Sequence, residues 1–89
     1  MLIRSQNKEL LVNFNVSAGI EIEERNTKTV VTSYITGCSY LLGEYSTKAK
    51  AMKVLDMIQE AYVNGHIDYQ IPADSEVVVW SINVWKRSR

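Results

Sequence analysis

Residues 41–65 read LLGEYSTKAKAMKVLDMIQEAYVNG, and the fold follows from how this stretch is parsed. A strand-like start gives way at Ser46 and Thr47 to a long series of good helix formers, so a hydroxyl stands ready to accept from the first free amides. At about 100° per residue, Ala51, Val54, Leu55, Ile58, Ala61 and Tyr62 fall within one arc of roughly 120°, with Lys53, Asp56, Glu60 and Asn64 opposite. Gly65 sits where a left-handed residue closes a helix. The pattern predicts one amphipathic helix over about 46–64, some 28 Å long at about 1.5 Å per residue. A helix of that length lies across a small sheet.

The residues before it supply that sheet. Leu2 and Ile3, a polar turn over Ser5 to Lys8 and the run Glu9 to Phe14 read as a hairpin, with Asn7 the candidate for the left-handed turn position. Ile20 to Glu23 alternates apolar and acidic, and Thr29 to Thr36 is rich in β-branched and aromatic residues, so the two predict an antiparallel pair turning at Arg25 to Lys28. Tyr40 to Glu44 makes a further strand. The expected architecture is α+β: an antiparallel meander of about five strands covered by the helix, in a single domain over 1–85. After the helix, His66 to Ile71 is extended and Pro72 ends it. Val77 to Trp85 then runs nine residues without a charge, which predicts a C-terminal strand that must be covered, because such a segment aggregates from an open edge: either it closes this subunit's own sheet or it pairs with the same strand of a second copy.

The set LGEYST at 42–47, Ala51, VLDMI at 54–58, Gln59 and Asn64-Gly65, with the opening MLIRSQNKELLVN at 1–13, resembles a pattern in small uncharacterised proteins of Gram-positive bacteria and their phages. It covers roughly four fifths of the chain. Acidic residues are usual there just after the Ser-Thr cap, where this chain has Lys48 and Lys50. The resemblance implies a bacterial or phage cytoplasmic setting and brings no activity with it.

Composition bounds the function. The chain has 89 residues, ten Lys plus Arg and ten Asp plus Glu, so no net charge draws it to nucleic acid. Lys86, Arg87 and Arg89 crowd the last four positions as a basic tail over 86–89, expected to be solvated and disordered. Cys38 is alone, which removes any intrachain disulfide and, without a histidine partner nearby, gives no nucleophile. His66 follows the helix end, where the helix dipole suits it better than a metal. No catalytic, cofactor or metal-ligating constellation is present, no apolar run is long enough to cross a membrane, and the expected setting is cytoplasmic.

The candidate contact residues are therefore few. Trp80 and Trp85 are an odd five apart and point to opposite faces of a strand, so one of them needs cover from elsewhere, and Trp is enriched at interface hot spots. Lys48, Lys50 and Lys53 lie at the helix start, where the dipole favours acids, and read either as a solvated face or as candidates for an acidic partner. The reading is a non-enzymatic interaction module, a homodimer through its C-terminal strand with a further protein partner. The alternative is a nucleic-acid-binding accessory protein using the basic tail and the helix-start lysines.

Overall fold

Alternation and capping act locally much as the sequence predicts. A computed structural model describes residues 1–79 of the protein. Strand β1 spans Leu2–Arg4, β2 Leu11–Asn13, β3 Gly19–Arg25, β4 Lys28–Ile35 and β5 Cys38–Tyr45; helix α1 spans Lys48–Val63 and strand β6 Asp68–Gln70. The class is α+β, with one long helix on a sheet. The strands divide into two three-stranded sheets, β2-β1-β6 and β3-β4-β5.

The division has a local cause and a distant one. Asn13 Oδ1 accepts from the Asn15 amide at 3.0 Å and opens a 3-10 turn over Phe14–Val16, which ends β2 after three residues. From the other side of the helix, β6 pairs parallel with β1, setting Tyr69 opposite Ile3. In the first hairpin Lys8, not Asn7, takes the positive φ of 69°. The Asn7 side chain accepts from Ser5 Oγ at 2.7 Å and the Glu9 amide at 3.0 Å, which engages Asn7 at the turn and passes the left-handed position to its neighbour. Asn26 closes the β3-β4 turn with φ of 51°, as expected.

The β3-β4-β5 sheet is antiparallel throughout, with Ile22 opposite Val31. A bulge interrupts β4-β5: Val31 faces Gly43 and Thr32 faces Leu41, so Leu42 is extra and drops into the core at 1% exposure. Gly43 is needed there. A Cβ on it would lie 3.1 Å from Ile71 Cγ2 and 3.1 Å from Tyr45 Cε2. Helix α1 packs on β3, β4 and β5, burying Ala51, Val54, Ile58 and Ala61. Ile3, Leu42, Tyr45 and Ile71 join Ala51, Val54 and Ile58 in one core, each large apolar side chain contributing about 1.5–3 kcal/mol by leaving water.

Both helix ends are capped. Thr47 Oγ1 accepts from the Lys50 amide at 3.2 Å, one residue later than a start at Ser46. At the other end the His66 amide donates to Ala61 O at 3.0 Å and Gly65, with φ of 78°, to Tyr62 O at 3.1 Å, a paired closure that leaves few orphan carbonyls. Beyond β6, Ile71 is buried, a 3-10 turn covers Asp74–Glu76, and Val77 is 5% exposed. Val77 to Val79 lie outside any strand. The rest of the expected C-terminal strand, with Trp80 and Trp85, and the basic tail over 86–89 lie outside the described residues.

Candidate interaction surface

The start of α1 carries the lysines singled out from sequence, and the structure turns one of them onto its own chain. Asp74 arrives from the turn after Pro72 and accepts at Oδ1 from the Ser46 amide at 2.9 Å and from Ser46 Oγ at 3.1 Å. Lys50 Nζ donates to the Asp74 carbonyl oxygen at 3.0 Å and approaches its Oδ2 at 3.4 Å. The Ser46 amide, aided by the Ser46 hydroxyl and Lys50, holds the Asp74 carboxyl below its ordinary value against the opposing effect of burial. Lys48 Nζ stands 4.0 Å from Glu24, and Lys53 is half-buried one turn further on. The three lysines do not form one patch. The acid that the helix dipole calls for comes from 24 residues beyond Lys50.

Gln6 completes this corner. Its amide N–H donates to Leu42 O at 2.7 Å, and its side chain reproduces a peptide group beside β5. Gln6 Oε1 accepts from the Glu44 amide at 3.0 Å, and Nε2 donates to Glu44 O at 3.0 Å and to Pro72 O at 3.2 Å. The outer edge of β5 is thus occupied where an added strand would bind. A depression of about 450 Å³ opens between Gln6, Lys28, Glu44 and Asp74. Its polar walls are largely paired with each other: Lys28 meets Glu44 at 3.2 Å, and Tyr45 Oη donates to Pro72 O at 2.7 Å. Burial, with nearby Tyr69 and acids adding to it, pushes the Tyr45 phenol far above its ordinary value, so it stays protonated as the donor to Pro72 O.

The far half of α1 is different. Leu55, Ile58 and Tyr62 overhang Phe14, Gly19 and Ile20, enclosing a groove of about 510 Å³ with a largely apolar lining. Phe14 and Tyr62, both lining the groove, meet edge to face at 5.3 Å and 74°. Along this groove runs β3, a strand of seven residues whose one neighbour among the described residues is β4. Glu21 and Glu23 share its outer face, Glu21 accepting from Tyr34 Oη and Glu23 from Arg25 Nε, each at 2.7 Å. Ile20 and Ile22 point inward against the core.

The described part of the C-terminal run ends at Val79. Val77 is buried, and Val78 and Val79 are 65% and 45% exposed. Trp80 and Trp85 follow in the undescribed segment. Cys38 is exposed at the first position of β5, and His66 is exposed at the helix end. Among the described residues no three His, Cys, Asp or Glu side chains gather closely enough to hold a metal. No helix among them is long and apolar enough to cross a membrane. Sequence reasoning missed Gln6 and Asp74, polar residues in turns whose partners lie 38 and 28 positions away. No protein family, curated protein or solved structure matches the chain.

Proposed function

We propose that this protein is an interaction module without chemistry of its own, that it self-associates through Val77 to Trp85, and that it works in a bacterial or phage cytoplasm. The observation that carries the reading is the exit of the chain at Val77. One valine anchors in the core, and the next two are exposed at the start of an uncharged run whose remaining residues include two tryptophans. An apolar, uncharged segment of this length needs an acceptor, and a second copy enlarges the core of a domain this small. The setting rests on the sequence resemblance. The helix-start lysines add little to the reading, because Lys50 is engaged by Asp74.

The test is solution mass by light scattering over a concentration series. The full chain, 10.2 kDa, is expected at twice that mass, and a chain ended after Val79, which keeps the Val77 anchor, at monomer mass with an unchanged circular dichroism spectrum. A full-length monomer at all concentrations overturns the proposal. So does an Ile82→Asp chain that remains a dimer with undiminished affinity.

A further inference from the structure

We infer that the acceptor for the C-terminal run is the open edge of β3 together with the groove beneath the far half of α1, and that its occupant is the run of a second copy. This deepens, and rests on, the self-association reading above. An edge strand in an antiparallel sheet leaves every other residue's N–H and C=O facing outward, and an extended segment added there gains main-chain hydrogen bonds along its length. Of the long strands, β5 has Gln6 on its outer edge at Leu42 and Glu44, and β4 is central. The edges of the other sheet, β2 and β6, are three residues long. That leaves β3, with seven and, among the described residues, β4 as its one neighbour. Val79 to Trp85 is also a seven-residue stretch.

The side-chain pattern matches in detail. Written as a strand, the run puts Trp80, Ile82 and Val84 on one face and Val79, Ser81, Asn83 and Trp85 on the other. Strand β3 likewise has Ile20 and Ile22 inward and Glu21 and Glu23 outward. An antiparallel register setting Ile82 opposite Ile22 brings Val84 beside Ile20 on the groove side. It sets Asn83 beside Glu21 and Ser81 beside Glu23 on the wet side, and lays Trp85 over Gly19, where space is open. Charge selects this direction. Antiparallel docking ends the cations Lys86, Arg87 and Arg89 beside the far half of α1, where the exposed helix charges are Asp56 and Glu60 and the helix dipole itself favours cations. Parallel docking ends them beside Arg25 and Lys48, at the end of β3 where Lys48 approaches Glu24.

The experiment uses the full chain with Cys38→Ser, to remove the native thiol, and a cysteine pair Glu21→Cys with Asn83→Cys. Directly opposed positions fall within disulfide reach. Mild oxidation is expected to yield mostly covalent dimer, and a Leu11→Cys with Asn83→Cys control on the β2 edge to yield essentially none. A dimer by light scattering that crosslinks through Leu11 and not through Glu21 overturns the β3 acceptor and leaves self-association standing. A fast-running crosslinked monomer makes the occupant the chain's own segment and overturns the second copy. A Cys38→Ser chain that never exceeds monomer mass removes both readings. Hydrogen exchange on the unaltered chain gives an independent readout: protection of the β3 amides is expected to rise at least tenfold from dilute to concentrated protein. An unchanged β3 in a chain that does dimerise overturns the inference.

Discussion

At the start of α1, Ser46, Lys50 and Asp74 satisfy one another within 3.4 Å and Gln6 fills the adjoining edge of β5, whereas at its far end Leu55, Ile58 and Tyr62 overhang a groove beside β3, which has one neighbour among the described residues. The same helix therefore has one end closed by its own chain and one end left open. Closing an end uses polar residues held in turns, which fix the two sheets against each other. Leaving the other end open preserves apolar surface and unpaired backbone, the two things an added strand needs. Substitutions at the two ends are expected to act on different quantities: stability at the closed end and association at the open one.

The largest loss is expected from Tyr45→Ala. Tyr45 is 1% exposed, packs beneath Gly43 and donates to Pro72 O, so its removal leaves a cavity and an unpaired carbonyl at the seam between the sheets. The cost is about 3–5 kcal/mol by urea unfolding. Gln6→Ala comes next, at about 1–3 kcal/mol, because it strips partners from both backbone groups of Glu44. It also uncovers the edge of β5. If the comparison of edges is right, Gln6→Ala gains concentration-dependent association beyond a dimer, read by light scattering; a variant that is merely less stable breaks the argument that Gln6 guards that edge.

Much of this was legible in sequence, and the boundary of legibility is physical. The 3.6-residue periodicity from Ala51 to Ala61 and the alternation from Ile20 to Glu23 are local signals, and the helix and the β3-β4 hairpin both stand in the structure. The parallel pairing of β1 with β6 joins three-residue strands more than sixty positions apart and leaves no periodic trace. Likewise, nothing local in Gln6 or Asp74 marks it as a bridge, since a polar residue in a turn is ordinarily solvated. The three lysines were legible as an electrostatic mismatch at a helix start. Its resolution by Asp74 was not, because the partner comes from across the domain.

Tyr62→Ala tests the open end. With Tyr62 53% exposed, its loss is expected to change stability by under about 1 kcal/mol. If the groove receives the second copy, the dimer dissociation constant rises about tenfold, which is about 1.4 kcal/mol of association. An unchanged dissociation constant would separate the groove from the interface while leaving the fold untouched.

The smallest expected effect is a pH dependence at the closed end. Asp74 has its carboxyl held below the ordinary value of 3.8, chiefly by the Ser46 amide, so between the folded and unfolded values the unfolded chain binds more protons than the folded one. Stability from this group is therefore complete above the unfolded value, near pH 4, and is lost as pH falls through the folded one. Urea midpoints for the native chain and Asp74→Asn are expected to differ most at pH 6 and to converge toward pH 2, because acid protonates the carboxylate that the amide variant has already neutralised. Parallel pH profiles would mean that Ser46 and Lys50 gain nothing from the charge of Asp74, and the closed end would then owe its order to Gln6 and Tyr45 alone.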